Sequence, residues 1–322
     1  MPITYISWAA NCSRSDHTAR ELGGVSHMVY WELLGSRPAT VWLKYLGQAF
    51  RTWRILRAER PTSVFVMTPP VFAALVVWLY CATHAAAFVM DAHTAAFLHP
   101  RWRYLQWLQF WLCRRARTTI VHNDHLRELV ERHGGHATVV PDIPVRFQQT
   151  EPYPLPPQFN VAVVCSFNPD EPTANIFDAA RRLPDVQFHV TGNPKALRAD
   201  ILDRLPANAR LTGFLSNGAY ATLISQADAV MTLTTRDHTM LRGAWEAIYQ
   251  ATPVIISNWP VLREAFDAGA VHVDNTPDDI VRAVERIRRD YGAFRQGAHA
   301  LRLRKEQRWG RVRAELQSLI AS

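Results

Sequence analysis

The residues best suited to chemistry lie between Ala229 and Phe266, in AVMTLTTRDHTMLRGAWEAIYQATPVIISNWPVLREAF. Their order reads as strand, polar loop, helix, proline turn and second strand. The loop TTRDH, with Thr235, Arg236, Asp237 and His238, follows a buried strand and opens a helix. Unpaired N–H groups and the positive end of the helix dipole make such a point a natural seat for phosphate. Thr239 is placed to cap that helix, and Arg236 and Arg242 bring formal positive charge for a diphosphate. Glu246 sits among Ala244, Trp245, Ala247 and Ile248. A carboxylate there needs a partner, and sugar or ribose hydroxyls are good ones.

A second group lies earlier in the chain. AAFVMDAHTAAF puts Asp91 and His93 where a buried strand ends. A carboxylate and an imidazole two residues apart serve general-base chemistry or hydrogen bonding, or else Asp91 caps a turn with His93 packed beside it. In NCSRSDHTARELGG, Arg14 and Ser15 either touch an acceptor phosphate or belong to a solvated turn. PRWRYLQWLQFWLCRRART mixes Trp102, Tyr104, Trp107, Phe110 and Trp111 with Arg101, Arg103, Arg114, Arg115 and Arg117. That mixture suits an anionic membrane interface, and equally a core helix with basic ends.

These residues need elements to hold them. Short β-branched runs alternate with amphipathic helices in both halves, which predicts parallel α/β sheets. The first half reads as strands at ITYIS, TSVFVM, AAFVMD, TTIVHN and ATVV, with a helix HLRELVERHG capped by Asn123. The second reads as strands at NVAVVCSF, VQFHVTG, ARLTG, AVMTLT and TPVIIS. Helices there are expected at ANIFDAARRL, AYATLISQA, LRGAWEAIYQ and PDDIVRAVERIRRDY. Six prolines between Pro141 and Pro157 mark an interdomain linker. The expected organisation is therefore domain 1–150, domain 151–299 and a basic terminal helix 300–322. That helix either packs back across onto the first domain or is a plain terminal helix. Two doubly wound domains would face each other across a ligand cleft at the carboxyl ends of their strands. Val71–Met90 carries no formal charge and is long enough to span a bilayer, yet Thr83, His84 and its flanks favour a buried helix running into a buried strand.

Composition narrows the class. With 48% hydrophobic and 20% charged residues in 322, the chain can bury a full core. Residues 1–150 hold 16 Lys and Arg against 9 Asp and Glu, so the first half carries most of the net charge of +8. A basic half implies an anionic surface or substrate on that side. Four scattered cysteines, with no CxxC pair, and no N-terminal signal segment fit a reducing cytoplasm. There is no GxxxxGK[ST], GxGxxG, GxSxG or HExxH, and no DxD triplet to hold a metal-bound diphosphate.

On these residues the chain resembles family 4 glycosyltransferases, which have the GT-B fold. WEAIYQATPVIIS is similar to their EAMACGTPVIAS-type segment, and ADAVMTLTTRD, TGFLSNGAYATLISQAD and VQFHVTGNP are similar to their loops and turns. The resemblance covers most of the second half and is topological over the first. It implies that Glu246 holds the donor ribose and that Gly192, Asn193, Gly213, Phe214, Thr235, Thr239 and Gly243 line the donor site. The family's first glutamate falls on His238, so His238 or Asp237 takes the donor sugar. The family's phosphate-binding Arg and Lys after the first strand of the second domain are unmatched in CSFNPDEPTANIF, leaving that role to Arg236 or Arg242. The resemblance also implies catalytic-site roles for Asp91 and His93, an acceptor-facing loop at Arg14 and Ser15, and retention of anomeric configuration.

The expected function is transfer of a sugar from a nucleotide-diphosphate donor to an acceptor hydroxyl. Metal and other cofactors are expected to be absent, and the acceptor to be lipid-linked or a cell-surface glycan. A cytoplasmic location, peripheral at the inner face of the membrane, accompanies this reading, with no nucleic acid as partner. The alternatives are a sugar-nucleotide epimerase and a non-catalytic nucleotide-sugar or membrane-binding protein of the same fold.

Overall fold

The computed structural model describes residues 2–31, 40–237 and 239–321. The chain divides into two units, Met1–Pro144 with Gln307–Ser322, and Val145–Glu306. The first unit holds β1 (Ile3–Ser7), β2 (Val25–Met28), β3 (Ser63–Thr68), β4 (Ala87–Ala92), β5 (Thr118–Val121) and β6 (Ala137–Val139). They form one parallel sheet in the order β2-β1-β3-β4-β5-β6. The second unit holds β7 (Phe159–Val163), β8 (Val186–Thr191), β9 (Ala209–Gly213), β10 (Ala229–Thr232), β11 (Val254–Ser257) and β12 (Ala270–Val273). Their parallel sheet runs β12-β11-β10-β7-β8-β9. Parallel neighbours need helical crossovers, which cover both faces and explain why the central strands are apolar throughout.

Side-chain alternation sorts the first core into two layers. Val64, Val66, Phe88 and Met90 pack on one face with Val77 and Leu112. Tyr5, Phe65 and Val89 pack on the other with Trp309, Leu316 and Ile320 from the last helix. Trp309 Nε1 donates to Glu21 at 3.0 Å, and Thr138 donates to Glu315 at 3.0 Å, fixing the part of that helix that belongs to the first unit. The helix itself runs Tyr291–Ala321, beginning earlier than the expected Ala300.

Strand order reverses between β1 and β3 in the first sheet and between β7 and β10 in the second. In open α/β sheets such points, at the carboxyl ends of the strands, are where ligands bind. The charge-free stretch resolves into helix Val71–His84 and β4, and among the described residues no helix is long and apolar enough to cross a membrane. Three elements differ from expectation. β2 and β12 are short edge strands without an apolar run, and the loop expected around Arg14 is helix Ser13–Glu21, whose inward face is the small residues Ser15, Thr18 and Ala19.

Candidate active site

In the second unit, the loops leaving β7 and β10 and helix Arg242–Tyr249 meet at the switch point. A Cβ on Gly243 would stand 2.9 Å from Val164 Cβ, so the helix reaches the end of β7 only because residue 243 has no side chain. Gly192, at φ +105°, lets β8 approach the same place; a Cβ there would lie 2.5 Å from the Cys165 carbonyl oxygen. Thr234 ties the β10 loop down. Its hydroxyl donates to Asp170 Oδ2 at 2.9 Å, and its carbonyl accepts from Trp259 Nε1 and Asn275 Nδ2, both at 3.0 Å.

Glu246 lies on this helix and is 2% exposed. Its Oε2 accepts from the Tyr220 hydroxyl at 2.5 Å and its Oε1 from Arg242 Nε at 2.5 Å. The partner that a buried carboxylate demands is thus supplied from within the unit, by a tyrosine and by an arginine whose side chain is largely exposed. Burial raises the Tyr220 pKa well above its ordinary value, and the facing carboxylate raises it further. Arg236 is likewise paired, 3.5 Å from Asp170 Oδ1. Both arginines expected to meet a diphosphate therefore lie beside carboxylates.

The remaining residues expected around a donor fall as follows. Thr235 donates its backbone N–H to the Asp170 carbonyl at 2.7 Å. Thr239 does not cap the helix, which begins three residues later at Arg242 with Leu241 at the N-cap position; the Thr239 hydroxyl turns to the Asp237 carbonyl at 3.5 Å. Asn193 caps a short 3-10 turn, Pro194–Ala196, by accepting from Lys195 N at 3.1 Å. Gly213 ends β9 at φ +68°, and Phe214 beyond it is exposed. His238 lies outside the described residues. Tyr220, Asp170 and Thr234 were not expected. An Asp in a proline-flanked turn and a Tyr on an apolar helix look unremarkable until folding brings each to a distant partner.

The first unit gathers a second cluster at the carboxyl ends of β1, β4 and β5. Asp91 is 0% exposed, and its Oδ2 accepts from the Tyr5 hydroxyl at 2.6 Å and from Arg14 Nε at 3.0 Å. Burial raises its pKa, but Arg14, then His93, His122 and the Tyr5 hydroxyl outweigh this and hold it below the ordinary value. Asp91 is thus an ionised anchor with its oxygens engaged. Arg14 also donates to the Val140 carbonyl at 3.0 Å. Ser15, expected to face an acceptor, is fully buried, its hydroxyl 2.5 Å from Ser7 Oγ and 3.0 Å from Cys12 Sγ. The cause is the helix that replaces the expected turn.

His93 is poised differently. Its Nε2 is buried with no hydrogen-bond partner among the described residues, and its ring meets His122 edge-on with centroids 5.2 Å apart. Burial lowers the His93 pKa, Asp91 opposing and Arg14 assisting. Burial also lowers His122, to about 3, with Arg14 adding to the effect. Both rings are neutral near pH 7, so His93 can accept a proton or a hydrogen bond at Nε2 or donate one from it. His122 was read only as the tail of TTIVHN; nothing local marks it.

Residues 172–317 match a family described as glycosyl transferase-like. None of the curated proteins compared matches the sequence. Among solved structures, sucrose-phosphate synthase from Thermosynechococcus elongatus superposes at TM-score 0.67 and 14% identity, covering 99% of this chain and 98% of its own. HepE of Anabaena, solved with UDP and glucose, gives TM-score 0.67 and 13% identity, covering 100% and 99%. A protein described as a putative UDP-N-acetylglucosamine 2-epimerase from Listeria monocytogenes gives TM-score 0.64 and 11% identity, covering 98% and 97%. At these identities the structural likeness speaks for the fold alone.

Proposed function

We infer that this chain is a glycosyltransferase with the GT-B fold, using its second unit to bind a nucleotide-diphosphate sugar and its first to serve an acceptor hydroxyl. The observation that carries the reading is Glu246, a buried carboxylate on a switch-point helix, bonded by a movable arginine. Ribose hydroxyls replace Arg242 at Oε1, and Arg242 and Arg236 turn from carboxylates to the diphosphate. HepE, solved with UDP and glucose, supports a uridine nucleotide as the first donor to try.

In the transfer, the bond from the anomeric carbon to the diphosphate oxygen breaks and the acceptor oxygen takes its place. The acceptor proton passes to the departing diphosphate, whose charge the arginines stabilise. His93 Nε2 hydrogen-bonds the sugar or acceptor hydroxyl, while Asp91 positions Arg14 and Tyr5. The sequence resemblance supports retention of configuration, and the missing DxD triplet supports neutralisation of the phosphates by protein groups without metal. A lipid-linked or surface-glycan acceptor, met at the inner face of an anionic membrane, is supported by the basic first half.

The test is thermal stabilisation and slow hydrolysis across a panel of nucleotide sugars. One nucleotide should stabilise the protein, and Glu246→Ala should abolish the shift. Stabilisation by none of them, or a shift unchanged in Glu246→Ala, would overturn the reading.

A further inference from the structure

Helix Val41–Glu59 in the first unit packs Tyr45, Ala49, Trp53, Ile55 and Leu56 against the core, yet carries a second set of large apolar side chains turned away from it. Its buried residues are Lys44, Gln48, Thr52 and Leu56, one residue per turn. The polar ones turn inward: Gln48 Nε2 donates to the Val29 carbonyl at 2.6 Å, its buried Oε1 having no partner among the described residues, Thr52 accepts from Trp8 Nε1 at 2.9 Å, and Lys44 Nζ lies 4.0 Å from the centre of the Tyr30 ring. The outward side of the first half carries Trp42, Leu43, Leu46 and Phe50, which are 63%, 58%, 67% and 66% exposed. A helix already packed on its core that still turns four large apolar side chains to the outside offers them a second contact.

The second half of the outward side names the chemistry of that contact. Arg51, Arg54, Arg57 and Arg60 are exposed, and Arg54 lies over the Phe50 ring at 5.9 Å. The only acidic residue of the helix is Glu59, and it is engaged by Thr4 at 2.6 Å and His27 at 2.6 Å. Large apolar side chains beside positive charge with no ion-pair partner among the described residues match the boundary between acyl chains and anionic headgroups. A second copy of the chain is the poorer fit, because a two-fold contact would bring the same arginines together.

We propose that the outward face of helix Val41–Glu59 is the membrane-docking surface, with Trp42, Leu43, Leu46 and Phe50 entering the headgroup boundary of an anionic bilayer and Arg51, Arg54 and Arg57 lying among its phosphates. The proposal rests on the peripheral-membrane reading given above and places it on this helix, away from the segment 101–117.

Flotation of the full chain with vesicles tests it, using phosphatidylcholine alone and mixed with phosphatidylglycerol. The protein should float with the anionic vesicles only, less so as salt rises. Leu46→Ser with Phe50→Ser should lower partition at least about tenfold. Arg51→Gln, Arg54→Gln and Arg57→Gln should each lower it about fivefold. Arg114→Gln with Arg115→Gln should leave it near the wild-type value. Loss in that last variant with unchanged helix variants would move docking to the other segment, sparing the membrane reading and overturning this one. Failure of the wild type to float would overturn both. A wild-type dimer that Leu46→Ser and Phe50→Ser dissociate would assign the face to self-association and overturn the proposal. Stabilisation by a nucleotide sugar should be unchanged in every helix variant, which separates these outcomes from failure of the donor site.

Discussion

The Tyr220 hydroxyl donates to Glu246 Oε2 at 2.5 Å, joining the helix Asn217–Gln226 to the helix Arg242–Tyr249 that carries this buried carboxylate. Tyr220→Phe keeps the ring, which meets Phe147 edge-on, and removes one partner of a buried charge. It should cost about 1–3 kcal/mol of stability in urea denaturation. Nucleotide-sugar affinity, read by calorimetry, should fall as well, because the carboxylate loses its fixed orientation. Unchanged stability and affinity would mean the bond is incidental.

Arg14 and Asp91 form the corresponding pair in the first unit, 3.0 Å apart with the carboxylate fully buried. Asp91→Asn leaves a largely buried guanidinium without its counter-charge and should cost about 3–5 kcal/mol in urea denaturation. Combining Asp91→Leu with Arg14→Met should recover much of that stability but not the activity. If the double change is as unstable as the single one, charge pairing is not what the site provides.

The first unit should lose stability in mild acid. His122 titrates near 6.5 in the unfolded chain but is driven down to about 3 in the fold, mainly by burial and then by Arg14. The unfolded chain therefore takes up the proton first. The stabilisation is complete above pH 6.5 and is lost as pH falls towards 3. Its slope is about 1.4 kcal/mol per pH unit. His93 is shifted in the same direction and adds to it. Urea midpoints measured from about pH 7 down to about pH 5 should fall, and His122→Gln should flatten the curve by one group's share. An equally steep curve in the variant would exclude His122 as the source.

Two glycines should be sensitive for different reasons. Gly192→Ala combines a φ of +105° with a Cβ 2.5 Å from a backbone oxygen, and should destabilise the second unit by about 2 kcal/mol or more. Gly243→Ala meets the Val164 side chain first, so its cost should be about 1–3 kcal/mol, accompanied by weaker nucleotide-sugar binding as the helix start is pushed away. Thermal unfolding and calorimetry read both. Wild-type binding in Gly243→Ala would show that the helix start does not shape the site.

Much of this was legible in the sequence because buried parallel strands announce themselves as apolar runs: ITYIS, TSVFVM and AVMTLT each became a strand. The edge strands VSHM and AVHV did not, since they are short and only partly covered. Helix Ser13–Glu21 was hidden because it buries serine, threonine and alanine, so no apolar stripe marks it. Of the candidate site, the buried acids were legible: Glu246, where an acid interrupts an apolar helix, and Asp91, where one ends a strand. Their partners were not. Tyr5 is 86 residues from Asp91 and Tyr220 is 26 from Glu246, and only the sheet order brings them together. The start of helix Arg242–Tyr249 was misplaced because Thr239 looks like a cap, whereas Leu241 is still extended there.

Trp309, Leu316 and Ile320 complete the inner layer that Tyr5 and Phe65 begin. A ribosome delivers the sheet of that unit long before it delivers these three side chains. During synthesis the opening residues must therefore wait with one apolar surface bare, which invites chaperone capture. A shortened chain ending before Gln307 should never close that layer, however faithfully its strands assemble.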